Sequence, residues 1–322
     1  VTALLQDDIG FVWVGSVSGL DRFDGHGFRN WSMSDGLSGG RVDALRHDAA
    51  GFVWVFSTAA NNDILTIDLV DPLAGKLRTM ADHFGAMPLK PREIIRVGPQ
   101  RTDGVLIFGA SSPARCVLYR GSRGFKVMQL AGGERFEPLG DDGVGNIIGH
   151  LVLSGGDQQL IRLDTTARIT VLQTLEQGTI VESLISGRTT PGAMYRTTTT
   201  AGVVRYFDTY SEIAFNPDRK PVEARDMHFM DPVRKPLNIT PLPRSGLLVE
   251  DARILDQNDR VLFDLAAVRP EVVGRVKDCI VDKRGNPWFA TEFGLFHVEI
   301  RGDGFERLLY SASIPEGYGI LC

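Results

Sequence analysis

Val1 to Asp24 reads VTALLQDDIGFVWVGSVSGLDRFD, Val42 to Asp68 reads VDALRHDAAGFVWVFSTAANNDILTID, and Val276 to Glu299 reads VKDCIVDKRGNPWFATEFGLFHVE. In the first stretch Val1, Asp7, Gly10 and Trp13 set a register that Val42, Asp48, Gly51 and Trp54 repeat with a shift of 41. Val276, Asp282, Gly285 and Trp288 repeat the same intervals near the far end. A fixed period of this size is the mark of a chain built from one stacked supersecondary unit. Asp-x-x-Gly between two apolar runs is a hairpin device, because Asp hydrogen-bonds the backbone just ahead of it and Gly accepts positive φ.

Between the clear copies, weaker ones centre on Ile107, Ile148, Tyr195 and Ile239. The anchors 13, 54, 107, 148, 195, 239 and 288 are then separated by 41, 53, 41, 47, 44 and 49 residues. Each unit has room for four short strands, placed in the second copy at 42–47, 52–57, 63–69 and 76–81. Val42 and Ala44 alternate on the first of these, while Phe52, Val53, Trp54 and Val55 make the second apolar on both faces, as a strand buried between neighbouring sheets requires. A lone unit cannot bury both faces, so neighbours must stack and the ring must close. The fold expected is all-β, a seven-bladed β-propeller of four-stranded antiparallel blades over residues 1–317. Residues 318–322 align with Val1 to Leu5 and are expected to be the start of a following repeat or a closing strand.

Composition narrows the function. The 322 residues carry 35 basic and 40 acidic side chains, a net charge of −5, so no basic field awaits a nucleic acid. Three cysteines make no disulfide framework, and no apolar run reaches the ~18 residues of a membrane helix. His26, His47, His83, His150, His228 and His297 include no i,i+4 pair and no Cys-x-x-Cys partner, so no metal site is encoded locally. There is no nucleophile elbow, P-loop or dinucleotide fingerprint. No catalytic residue and no cofactor is expected, and the domain is read as a binding module, not an enzyme.

The repeat resembles the two-component regulator propeller repeat, approximately Val-x-x-Leu-x-x-Asp-x-x-Gly-x-x-Trp-hydrophobic-Gly-Thr-x-x-Gly-Leu, followed by an aromatic residue and Asp-Gly. Val1, Leu4, Asp7, Gly10, Trp13, Gly15, Gly19, Leu20, Phe23, Asp24 and Gly25 match it, with Ser16 in place of Thr. The second copy has Asn61 and Asn62 near the expected Gly-Leu, and the last has Ala290 in place of Gly. The resemblance implies a periplasmic, extracytoplasmic ligand-sensing domain of a membrane-bound two-component protein such as a sensor histidine kinase. The membrane would be reached only through segments absent from this chain, and the ligand would be an oligosaccharide or other small molecule. Two alternatives stay open: a propeller lyase resembling streptogramin lyase, for which His297 or His228 would have to meet Glu292, and a protein-interaction scaffold or homodimer.

Repetition assigns Asp7, Asp48 and Asp282 to turns and Trp13, Trp54 and Trp288 to packing. Function is expected where blades differ, in the loops that enter the innermost strand or join the second strand to the third. Those loops hold Arg41, Asn61, Asn62, Ser111, Arg115, Thr198, Arg275, Glu292 and Phe293. Arg41 and Arg275 both sit in Gly-Arg-Val triplets and offer planar forks to carboxylates or polyols; the amides of Asn61 and Asn62 suit hydroxyls.

Overall fold

The computed structural model describes residues 1–48, 50–58, 65–79, 94–97, 105–109, 115–119, 125–130, 132–141, 146–164, 168–183, 194–202, 204–208, 222–223, 239–242, 247–250, 252–256, 260–270, 276–301, 304–314 and 317–321. Their strands form seven antiparallel sheets, six of four strands and one of five, each sheet made of strands consecutive in the chain. In the second sheet the strands are Arg41–His47, Val53–Thr58, Leu65–Val70 and Leu77–Thr79, each within two residues of where its sequence places it. The last sheet gains its fifth strand from Gly317–Leu321, which runs antiparallel to Gly304–Ile314 at the sheet's edge.

Six of the seven anchors lie on the second strand of their sheets; Ile239 does not. Ile239–Leu242 is the first strand of the sixth sheet, and Leu247–Glu250 is the second. A single helical turn, α1 (Leu265–Val268), ends that sheet, with the Asp264 carboxylate accepting from the Ala266 N–H.

Hydrogen bonds explain why the Asp, Gly and Trp positions recur. Asp7 Oδ1 accepts from the N–H groups of Ile9, Gly10 and Phe11 at 2.9–3.0 Å, and its Oδ2 accepts from Trp13 Nε1 at 2.7 Å. One carboxylate therefore closes the hairpin turn and satisfies an indole N–H that packing has removed from water. Gly10, with φ +109, completes the turn. The last sheet repeats the device: Asp282 Oδ1 accepts from Arg284 and Asn286 N–H at 2.9 Å, and Oδ2 from Trp288 Nε1 at 3.2 Å. In the second sheet Asp48 Oδ1 takes the N–H groups of Ala50 and Phe52 at 3.0 Å.

Two compact units divide the chain: Val1–Arg46, Val53–Thr79 and His228–Cys322 form one, His47–Phe52 and Met80–Met227 the other. Within the first, Trp13, Leu20 and Trp31 of the first sheet share a core with Val42, Leu45, Val53, Val55 and Val70 of the second. Gly15 is small because a Cβ there would lie 2.6 Å from Val42 Cγ1, so the sheets could not approach as they do. On the other face of the first sheet, Leu4, Val12 and Val14 pack against Ile280, Trp288, Ala290 and Leu295 of the last. The two sheets are further tied by the Leu4 N–H, which donates to Asp278 Oδ2 at 2.9 Å, and by the Lys283 N–H, which donates to Gln6 Oε1 at 2.7 Å. In the second unit Leu139, Ile148, Leu160 and Leu172 of the fourth sheet pack with Val181 of the fifth. The tryptophan-position anchor Ile148 is thus a core residue, as the repeat requires.

Candidate functional site

In a four-stranded antiparallel sheet the turns joining strands one to two and three to four lie at one end, and the turn joining two to three lies at the other. The Val42 N–H donates to Ser16 O at 2.9 Å, and the Val1 amine donates to Thr291 O at 3.0 Å. Residues that open an inner strand therefore sit beside the two-to-three turn of the neighbouring sheet, the end where a ligand-binding face is expected.

The turn of the last sheet at that end is held by hydrogen bonds to one threonine. Thr291 Oγ1 accepts from the Phe293 and Gly294 N–H groups at 3.1 Å and donates to Gly294 O at 3.0 Å. The turn holds Phe293 47% exposed and directs Glu292 onto Lys277, with Oε1 to Nζ 2.6 Å. Its counterpart in the first sheet leaves Val17 69% exposed. Arg41 Nε lies 2.8 Å from Asp43 Oδ1, and Asp43 also accepts from Thr58 Oγ1. The Arg41 guanidinium is therefore not a solitary fork but half of an exposed ion pair. Thr198 ends the second strand of the fifth sheet, half-buried opposite Ile180, in the other compact unit. Arg115 opens the third strand of the third sheet opposite Gln129; its side chain lies outside the described residues, as do Asn61, Asn62, Ser111 and Arg275. Glu292 and Phe293 are thus brought together in one turn, and Arg41 stands at the same end of its own sheet.

A concavity lies at the opposite end, between the hairpin turns of the first and last sheets. It encloses about 620 Å³ and is lined by Gln6, Ile9, His26, Arg284, His297 and Glu299 among others. His297 stands cross-strand from Trp288, stacks on it with ring centroids 4.1 Å apart, and places Nε2 3.4 Å from Asp282 Oδ2. Burial alone would raise the Asp282 carboxyl, but hydrogen bonds from His297, the Asn286 backbone and Trp288 outweigh it and hold the group below the ordinary aspartate range. The sequence reading missed this cluster. Its signal was a titratable residue at the position opposite a repeated tryptophan, legible only once the strand register is known.

His297 does not meet Glu292. His297 pairs with Trp288 and Gly294 with Thr291, so His297 lies three residues, about 10 Å of strand, from the turn that holds Glu292, and Glu292 is paired with Lys277. His228 lies outside the described residues. Among the described residues no three His, Cys, Asp or Glu side chains gather as a metal-ligand set, and no helix is long and apolar enough to cross a membrane.

No family model and no curated protein matches the sequence. Among solved structures, a streptogramin B lyase is 12% identical, covers 91% of this chain and 91% of its own, and has a TM-score of 0.54. A chain of the mitotic checkpoint complex is 11% identical over 91% of this chain and 86% of its own, also at 0.54. The extracellular domain of a protein described as a hybrid two component system from B. thetaiotaomicron is 12% identical over 97% of this chain and 54% of its own, at 0.31. The first two likenesses concern the fold: all-β, built mostly of four-stranded antiparallel sheets, with propeller-like neighbours.

Proposed function

We propose that the chain is the periplasmic sensing domain of a membrane-bound two-component signalling protein. In this reading it is a seven-bladed propeller that binds an oligosaccharide or other small molecule without transforming it. The ligand sits at the end of the sheets where the two-to-three turns lie. The observation that carries this reading is Phe293, an aromatic ring 47% exposed on a turn whose Phe293 and Gly294 N–H groups are held by Thr291 Oγ1, beside the Lys277–Glu292 pair. A rigid, half-exposed ring offers a flat apolar face to a ligand at little entropic cost, and the flanking charges supply hydrogen bonds to its hydroxyls.

Repetition supports the same division. Asp7 and Asp282 are committed to their turns and tryptophans, so these groups, repeated in register, are not free to bind a ligand. Signalling follows by population shift: a ligand that prefers one geometry of the domain relative to its output biases that output by its differential affinity. The test is calorimetric titration of the chain with a panel of oligosaccharides. At least one should saturate, and Phe293→Ser should weaken it about tenfold, the loss of one aromatic contact. A panel in which nothing saturates, or a Phe293→Ser chain that binds as the parent does, refutes the reading.

A further inference from the structure

Arg22 on the third strand of the first sheet stands directly opposite Arg29 on the fourth. Both lie on the face of Leu20 and Trp31, which pack into the core shared with the second sheet. Like charges directly opposed across an antiparallel pair repel, and Arg41 and Lys277 elsewhere in the chain are matched with carboxylates. Among the described residues neither Arg22 nor Arg29 meets a carboxylate at ion-pair distance. The acids close in sequence make their hydrogen bonds elsewhere, although Asp24 is near enough that, after the Gly27 and His26 N–H groups, the Arg22 charge helps hold its carboxyl down. Asp21 bonds Asn30 at 2.9 Å, Asp24 Oδ1 takes the N–H groups of His26 and Gly27, and Asp71 Oδ1 those of Leu73 and Ala74.

The two guanidiniums are nevertheless fixed in place. The Arg22 Cζ lies 4.4 Å from the centroid of Phe11, 5.9 Å from Trp13 and 6.0 Å from Trp31, and its Nη1 donates to Pro72 O. The Arg29 Cζ lies 4.8 Å from Trp31, and its Nη2 reaches Gly75 O at 3.5 Å, the carbonyl that also accepts from Trp31 Nε1 at 3.3 Å. Gly75, at φ +63, makes the arrangement possible, since a Cβ there would lie 2.2 Å from Arg29 Nη1. Arg22 Nε is buried with no acceptor. Each guanidinium thus gives one N–H to a carbonyl of the same turn of the second sheet and keeps the rest of its donors.

We propose that Arg22 and Arg29 form a binding site for a tetrahedral oxyanion, a phosphate or sulfate group, where the first and second sheets meet. Two planar forks held by aromatic stacking present preorganised, charge-assisted donors, and two neighbouring positive charges call for a dianion rather than a carboxylate. The site is separate from the turn proposed above to bind the sensed ligand and stands or falls independently of it.

The experiment titrates the full chain with inorganic phosphate and inorganic sulfate by calorimetry. Ionic strength is held constant with chloride, and acetate serves as the monoanionic comparison. Phosphate or sulfate should bind saturably and acetate should not. Because Arg22 packs against three rings, the principal variant is the exposed Arg29→Gln, with far-UV circular dichroism to check its fold. It should bind about tenfold or more weakly, the loss of a charge-assisted bond, while Arg284→Gln on another sheet binds as the parent does. No saturable binding of either anion, acetate binding of equal strength, or an Arg29→Gln chain with undiminished affinity overturns the proposal.

Discussion

The shared carboxylate of the hairpin motif gives a coupling that can be measured. Asp7 is 1% exposed and Trp13 fully buried, and the two are joined by a bond of 2.7 Å. Asp7→Ala strands the indole N–H in the core, at a cost of about 1–3 kcal/mol. It also removes the acceptor for the turn N–H groups, which reach water more easily and cost about 1–2 kcal/mol. The sum is about 2–5 kcal/mol. In a Trp13→Phe background no indole N–H remains, so the same Asp7→Ala change should cost only the turn component. The difference, the indole component of about 1–3 kcal/mol, is the coupling energy of a double-mutant cycle, read from urea unfolding followed by far-UV circular dichroism. The equivalent cycle at Asp282 and Trp288 should give less, because that bond is 3.2 Å and His297 lies 3.4 Å from the same oxygen. A coupling below about 0.5 kcal/mol at Asp7 and Trp13 is within ordinary non-additivity and would refute the claim that one carboxylate binds turn and ring together.

Gly19, at φ +144, would place a Cβ 2.4 Å from Trp31 O, so Gly19→Ala should destabilise by about 2–4 kcal/mol; Gly25→Ala, where the Cβ meets nothing within 4 Å, is the comparison, and equal urea midpoints for the two would contradict the steric argument. Asp68 is buried in the second sheet, and that burial raises its carboxyl despite hydrogen bonds from Ser38 Oγ at 2.5 Å and Ser38 N–H at 2.9 Å. A folded-state pKa above the unfolded one gives stability that is complete below the unfolded value and lost as pH rises through the folded value. Ionised Asp68 is therefore a cost at neutral pH. Asp68→Asn should match or exceed the parent there and lose that advantage as pH falls toward about 4, where an ordinary aspartate protonates; a variant clearly weaker than the parent at neutral pH contradicts this.

The hairpin end of the first, second and last sheets was legible because it is covalently local: Asp, Gly and Trp lie within seven residues, and Trp13, Trp54 and Trp288 all fall on second strands. Ile239 went astray because the Pro-rich stretch carries no tryptophan to fix the register, and the strand holding Ile239 and Pro241 precedes the one holding Leu247, Leu248 and Val249. Glu292 and Phe293 could be singled out because they vary the turn that a repeat would otherwise specify. The Arg41–Asp43 pair was missed although its partners are two residues apart, because that spacing puts them on one face of a strand only if the strand begins at Arg41. Arg22 and Arg29, and His297 with Trp288, become neighbours only through cross-strand register, which depends on the length of the intervening turn.

The position opposite each repeated tryptophan shows where such a molecule has freedom. It holds Arg22 against Trp13, Leu69 against Trp54 and His297 against Trp288, three chemistries on one backbone geometry. Leu69 joins an apolar surface, Arg22 brings a guanidinium without an ion-pair contact among the described residues to a set of aromatic rings, and His297 brings a titratable ring to a buried carboxylate. If the position served the fold alone, a buried leucine would do at every copy, since burying a guanidinium or an imidazole is more costly than burying an aliphatic chain. A repeat that fixes Asp, Gly and Trp while tolerating that cost at a neighbouring position has separated the residues that hold the sheets from a position where the side chain can change.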